Sequence, residues 1–257
     1  MGAAAGSFPT VFKAEVLKGR RGAPRKVALI APLPFCALGV LSSGVIPGTG
    51  AIGGIATCLW NYWYALMMPV AIALICASIA NLDARQKLRP VLGLPLPPAR
   101  TWWAKVAYAL ALVLGANLVV LACSTVLTAL GAEGPSFAEG LAAAVLLTVA
   151  SSWMVPAALA LTLRFGTLAG IAIPALVQVG VGIALWTSDA WFAFPPATTL
   201  CAVAPLLDVA PSGVPLEAGD ALGAFGGDAV LGLALAVALF AALAIAGAAW
   251  FSKREAA

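Results

Sequence analysis

AVLGLALAVALFAALAIAGAAWF, residues 229–251, runs for 23 positions without a charged side chain, with Asp228 just before it and Lys253 and Arg254 just after it. A bilayer core about 30 Å thick takes roughly 20 mostly apolar residues per helix. The stretch therefore reads as a membrane span with an acidic side and a basic side. Five more uncharged runs of similar length precede it, at 27–46, 60–80, 106–130, 140–163 and 167–188. The whole chain follows the same pattern. Of its 257 residues 63% are hydrophobic and only 9% charged, against about 25% charged in a soluble domain. Too few charges remain to cover a water-soluble globule.

Alternating six spans across a membrane puts residues 1–26, 81–105, 164–166 and 252–257 on one side, and these hold six, five, one and two Lys or Arg, which is all 14. The other side holds none, but carries seven of the ten acids: Glu133, Glu139, Asp189, Asp208, Glu217, Asp220 and Asp228. Basic loops stay in the cytoplasm, so the expectation is an all-α integral membrane protein in one domain over 1–257, with six transmembrane helices and both termini cytoplasmic. Trp60, Tyr62, Trp63, Tyr64, Trp186, Trp191 and Trp250 fall near run ends and are expected in the interfacial aromatic belt. The 40-residue stretch 189–228 is an external loop. Its apolar segment from Pro195 to Leu207 is too short to span and reads as interfacial or re-entrant.

Phe8, Val11, Phe12, Val16 and Leu17 recur at helical spacing, with Lys13, Glu15, Lys18, Arg20 and Arg21 on the other faces. That describes an amphipathic helix over 8–21 lying in the cytoplasmic interface, although a plain basic flank that orients the first span fits the composition as well. The N-terminus matches neither a secretory signal nor a myristoylation site.

Chemistry is sparse. There is no histidine, and Cys36, Cys58, Cys76, Cys123 and Cys201 form no CxxC pair, so no metal site and no cofactor on this chain are expected and the cysteines read as small core residues. Gly48, Gly50 and Gly53 match GxGxxG but follow a membrane span and have no acid near enough downstream, so they read as an external turn. No Gly-Lys dipeptide exists to build a P-loop, and GxSxG and HExxH are absent. The expected spans contain no ionisable group of the kind proton-driven carriers use. Asn117, Ser151 and Gln178 are among the deepest polar side chains: they either cross-link helices or line a translocation path. The loop 81–105 has a basic half followed by a proline-punctuated apolar half, more than a link between antiparallel spans needs. It reads as a docking site for a partner. Nucleic acid is not expected, since the bases are spread as topology requires.

Three stretches carry a resemblance: Lys13-Ala14-Glu15 with Lys18 and Arg21; Trp60-Asn61-Tyr62-Trp63-Tyr64 with Pro69; and Leu94-Pro95-Leu96 with Trp102 and Lys105. Over about residues 10–110 the chain resembles the permease subunits of ABC-2 type exporters, and more narrowly the lantibiotic self-immunity permeases of Gram-positive bacteria. The resemblance implies a bacterial cell-membrane subunit that is not itself an enzyme. It would pair with a second permease, identical or a sister chain, and with a cytoplasmic ATPase dimer that holds the ATP and Mg. It also makes the N-terminal helix the elbow helix of that family, with Phe12, Lys13, Glu15 and Lys18 on it. Residues 84–100 become the coupling element, with Arg85, Lys87, Leu88 and Arg89 docking on the ATPase. The implied substrate is an amphipathic antimicrobial peptide. A drug or a lipid is the alternative within the family, and an ion-coupled secondary carrier the alternative outside it. Independently of the resemblance, an external face with acids and no bases suits a cationic peptide, with Asp208, Glu217, Asp220 and Asp228 as contacts, or else forms a lid or subunit contact.

Overall fold

The computed structural model describes residues 7–42, 55–84, 97–217 and 219–253. Among these there is no strand. Four helical stretches are long and apolar enough to cross a membrane: Leu59–Asp83, Pro98–Ala129, Thr167–Leu185 and Gly227–Ser252. A fifth span forms if the pair Phe137–Ala150 and Met154–Phe165, bent by 43°, is counted as one. The chain is a multi-pass membrane protein.

In chain order the helices are α1 (Phe8–Lys18), α2 (Ala23–Ile30), α3 (Leu33–Ser42), α4 (Ile55–Tyr62), α5 (Met68–Ala84), α6 (Pro98–Ala129), α7 (Phe137–Ala150), α8 (Met154–Phe165), α9 (Thr167–Leu185), α10 (Pro195–Cys201), α11 (Ala204–Leu207) and α12 (Gly227–Ser252). The uncharged run 27–46 does not form one helix. Pro32 and Pro34 have no N–H to return to the carbonyls of Ala28 and Ile30, and the helix divides there into α2 and α3. Pro69 acts more gently in the next run. Ahead of it the helix widens into a π-turn, Trp63–Met67, in which the Met68 N–H reaches back to the Trp63 carbonyl, and α4 continues into α5. Pro156 marks the third interruption. Around residues 151–153 the backbone tightens to i→i−3 bonds, Met154 N to Ser151 O and Val155 N to Ser152 O, both 3.0 Å. The turn at Ser151-Ser152-Trp153 is where α7 and α8 bend apart.

The helix α6 starts earlier than the loop boundary at 105 implied. Pro98 sits in its first turn, where a missing N–H costs nothing and the fixed φ favours helix. At about 1.5 Å per residue its 32 residues reach roughly 48 Å, well beyond the hydrocarbon core, so residues 98–105 of the expected loop are an extension of the third span. Its end locks onto α12: the Trp102 indole donates to the Ala244 carbonyl at 2.9 Å and packs on Phe251 with ring centres 5.9 Å apart.

The aromatic belt is corrected. Trp60, Trp63 and Tyr64 are fully buried in the core, while Tyr62 is half exposed. Trp63 is inside because its N–H finds the Asn117 carbonyl oxygen at 2.8 Å, which satisfies its one polar atom. The segment 195–207 is also inside: residues 196–204 of α10 and α11 are buried against α7, α9 and α12. Short helices with free ends can lie at membrane depth when protein covers them. Protein therefore covers this segment on most sides.

A Cβ on Gly247 would overlap the Trp102 indole, whereas one on Gly115 meets nothing within 4 Å. Gly247→Val is therefore expected to cost about 1–3 kcal/mol by overpacking, and Gly115→Ala close to nothing. Thermal unfolding of the detergent-solubilised protein, followed by far-UV circular dichroism, checks the pair.

Candidate functional site

Four side chains from three helices meet at one end of the bundle. Glu15 on α1 and Asp83 at the end of α5 both hold the Lys105 ammonium on α6, at 2.8 and 2.5 Å. The same two carboxylates hold Lys18, at 2.7 and 3.2 Å. Carboxylates and ammoniums alternate around a ring, and the formal charges cancel. Lys105 is 0% exposed and Glu15 1%, while Lys18 closes the ring from its outer edge with 37% of its side chain exposed. Burial would lower the pKa of Lys18, but hydrogen bonds and attraction from Glu15 and Asp83 outweigh it and hold the ammonium above its ordinary value. A raised lysine pKa means that this contribution is complete at neutral pH and fades only in strongly alkaline solution.

The helices around the ring are tied together again a few residues on. The Arg25 guanidinium donates to the Tyr108 hydroxyl at 3.2 Å and to the Val16 carbonyl at 3.0 Å. A Cβ at Gly19 would run into the Tyr108 ring, so glycine is what lets α6 approach the end of α1. That corrects the expected helix 8–21: it ends at Lys18 and turns through Gly19 and Gly22 into α2.

Periodicity assigned Glu15 to the solvent face of this helix. The structure turns Glu15 inward beside Val11, because a buried Lys105 needs a counter-charge more than the helix needs an apolar stripe. Phe12 packs partly against the core, Lys13 is exposed, and Lys18 is half in the ring. Asp83 and Lys105 were missed as site residues. The usable signal was that Glu15 and Asp83 are the only acids on the basic side of the chain ahead of residue 255. Asp83 stands one residue before the end of α5 and Lys105 eight residues into α6, on either side of the segment 85–96; Arg85, Lys87, Leu88 and Arg89 lie within that segment, outside the described residues.

The opposite end of the bundle carries the acids. A cavity of about 480 Å³ is lined by Glu133, Glu139 and Asp208 together with Pro205 and Leu207. A second, of about 790 Å³, is lined by Asp189, Glu217, Asp220 and Asp228 together with Trp186 and Trp191. Pro215 borders both. Thus Glu217, Asp220 and Asp228 share a cavity, and Asp208 belongs to the neighbouring one. Two of the acids have local duties: Glu139 accepts from Ser136 N at 2.8 Å in the capping box of α7, and Asp220 accepts from Glu217 N at 2.8 Å. None of the seven makes an ion pair among the described residues. No group of three or more acids and cysteines among these residues converges closely enough to hold a metal ion. The apolar component beside the acids is corrected in part: 196–204 are buried, Pro205, Leu206 and Leu207 line the first cavity, and Trp186, Trp191, Val214, Leu216 and Leu222 line the second.

Asn117, Ser151 and Gln178 line none of these cavities. Asn117 accepts from Trp63 and donates to Thr148 Oγ1 at 3.0 Å, stitching α6 to α7. Ser151 donates to the Leu147 carbonyl at 2.6 Å, in the bend. Gln178 donates to the Pro196 carbonyl at 3.0 Å and so holds α10 against α9. Each makes a helix-to-helix or local backbone bond.

No protein-family model, curated protein or solved structure matches the chain.

The ring makes a quantitative expectation. Lys105→Met leaves two buried carboxylates with one outer cation, which should cost about 3–5 kcal/mol. Combining it with Asp83→Asn should cost clearly less than the two single losses together, because the second change removes the uncompensated charge. Unfolding of the four proteins of this cycle in mixed micelles measures the coupling; additive losses would mean that the pair does not interact.

Proposed function

We propose that the chain is the membrane-spanning subunit of an ATP-driven exporter of the ABC-2 type in a bacterial membrane. It would act with a cytoplasmic ATPase dimer and a second permease subunit to expel a cationic amphipathic peptide. The observation that carries this reading is the neutral ring. It fastens the interfacial helix to the two helices that flank the basic segment 85–96, so that a push on that segment would move α1, α5 and α6 together. A chain with no P-loop needs such a lever if the energy comes from another subunit. ATP binding would close the ATPase dimer against the segment, and the ring would pass the displacement into the helices as a rigid-body tilt.

Six spans and cytoplasmic termini belong to the same proposal. Packing supports the count: α2 lies against α5 and α3 against α4, so the two short helices flank the second span along its length as a first span broken at Pro32. With the bent pair counted once, the total is six. The ends of α1 and α12 lie at one face, joined through α6, as an even number of spans requires. On the far face the second cavity pairs four acids with two tryptophans, a chemistry suited to a peptide with alternating cationic and apolar side chains. The acids would raise its local concentration within a Debye length of about 8 Å at physiological salt.

One observation favours a second reading, an ion-coupled carrier that works without an ATPase. The bend between α7 and α8 buries the Ser152 hydroxyl and the Trp153 indole N–H with no hydrogen-bond partner among the described residues, and broken helices at mid-membrane are where carriers bind ions and substrate.

Proteoliposomes separate the two. The purified chain, loaded with a cationic amphipathic peptide, should show no export under a sodium or proton gradient. It should export only when an ATPase partner and ATP are supplied, and Leu88→Asp should abolish that export while leaving insertion intact. Gradient-driven transport by the chain alone would reject the exporter.

A second measurement concerns the acids. Changing Asp189, Glu217, Asp220 and Asp228 to amides should reduce the resistance of expressing cells to cationic peptides at least several-fold, with smaller effects at high salt and none against neutral peptides. A uniform loss would assign the cavity to structure.

A further inference from the structure

Between the two acid-lined cavities stands a short hairpin, residues 208–217. Val209 and Pro215 pair across it as an antiparallel bridge, and three bonds close it: Leu216 N to Asp208 O at 3.2 Å, Ala210 N to Val214 O at 2.8 Å and Gly213 N to Ala210 O at 2.8 Å. Asp208 and Pro215 line the first cavity, while Ala210, Ser212, Val214 and Leu216 line the second. The hairpin is the wall between them. Little packing holds this wall in place, since Val209 alone of residues 208–217 is buried. Its two ends are backbone turns in the left-handed region: Asp208 at its start has φ 53°, and Gly219, two residues past its end, has φ 103°. A few such residues at the end of an element can absorb the swing of a hinge.

Asn61 supplies the fastening. Its side chain, 5% exposed at the end of α4, donates to the Ala210 and Pro211 carbonyls at 3.1 and 3.0 Å and to the Tyr64 hydroxyl at 3.1 Å. A Cβ on Gly213 would stand 3.5 Å from Asn61 Oδ1, so the turn lies directly on the amide. Two residues after Asn61 the helix enters the π-turn Trp63–Met67, a backbone form that is rare and recurs at functional positions in helices. The hairpin is therefore tied to the second span at the point where that span departs from α geometry.

We infer that the hairpin 208–217 is a movable partition, hinged at Asp208 and Gly219 and latched to the second span by Asn61, and that its release joins the two cavities into one site for an extended polycation. Latched, the chain offers Glu133, Glu139 and Asp208 in one chamber and Asp189, Glu217, Asp220 and Asp228 in the other. Released, it offers all seven to one ligand. A molecule with amines spread along its length binds the open form better, because only there can it reach both sets, and so shifts the chain toward that form. A short diamine fits one chamber and gains nothing from opening. The inference rests on the proposed reading of these acids as contacts for a cationic substrate and adds what governs access to them; it does not require the ATPase.

The test follows the hairpin in the full chain, in phosphatidylcholine nanodiscs, by hydrogen–deuterium exchange read by mass spectrometry, with spermine as the long probe and putrescine as the short one. Asn61→Leu, similar in shape but without the donors, should speed exchange of peptides covering 208–217 about tenfold, the worth of one net hydrogen bond, while peptides of α9 and α12 keep their protection. Spermine should speed the same peptides several-fold in the unaltered chain and, by linkage, bind Asn61→Leu several-fold more tightly. Putrescine should do neither. Hairpin exchange unchanged by Asn61→Leu would overturn the latch. Exchange slowed by spermine, or equal responses to the two amines, would overturn the partition, and this arm on the unaltered chain decides alone if Asn61→Leu loosens the whole bundle. A hairpin that responds to spermine in a chain that shows no ATP-driven export would reject the exporter and keep the partition; export with an unresponsive hairpin would do the reverse.

Discussion

Burying a lysine at the end of a membrane helix costs several kcal/mol unless an opposite charge comes with it, and much of the arrangement at the basic end of this bundle follows from that constraint. Lys105 lies on the extension of α6 that rises out of the membrane. Two carboxylates reach it, from α5 and from α1, and a second lysine balances the extra negative charge. A ring that sums to zero can be buried where the triad of Lys105, Glu15 and Asp83 alone would keep a net charge. In satisfying it the chain fixes the direction of α1, the end of α5 and the start of α6. The connection through Arg25 and Tyr108 then positions α2. Removing any member therefore disturbs several helices at once.

Away from that ring the fold is held by apolar contact interrupted at three places by proline, and the interruptions differ because their surroundings differ. Pro69 follows a π-turn in which Trp63 and Tyr64 are buried, so neighbouring side chains support the widened backbone and the helix continues. Pro32 and Pro34 act together and leave two short helices. Pro156 stands beside two serines and a tryptophan, and the backbone bends by 43°. Without water at this depth each displaced carbonyl must find a donor in the protein or remain strained. The buried hydroxyl of Ser152 and indole of Trp153, with no partner among the described residues, make the bend between α7 and α8 the least satisfied point of the core. A tilt of the bundle would meet least resistance there.

How much of this could be read from the sequence depends on whether a feature is local. Uncharged runs are local, and 60–80, 106–130, 167–188 and 229–251 each correspond to a long apolar helix. The division of acids from bases is almost as local, and the seven acids do line two cavities at one end. What escaped was non-local. Glu15 lies 90 positions from Lys105, and helical periodicity, which sorts every charge to the outside, had no means of turning it inward. The same limit hid Trp63: an aromatic residue near the end of a run looks interfacial until a partner such as Asn117, 54 positions away, gives its N–H a reason to be buried. The run at 195–207 showed that it was too short to span, but an uncharged segment reads alike whether lipid or protein covers it.

The two faces of the molecule are electrically opposed, and the ring sharpens that opposition. Because Lys18 and Lys105 are cancelled by Glu15 and Asp83, the exposed cations at that face include Lys13, Arg20, Arg21, Lys26, Arg164 and Lys253 among the described residues. They act in the water and headgroup layer, where about 1 kcal/mol per basic residue favours anionic lipid. At the far face no base is present to cancel the acids, and local hydrogen bonds orient only Glu139 and Asp220. Buried charge on this chain is thus neutral and structural, while exposed charge is of one sign at each face. Under the proposed function, the basic face would favour anionic lipid and the acidic face cationic solutes. Both attractions would weaken with salt because both act through water, whereas the ring, buried except at Lys18, is screened much less.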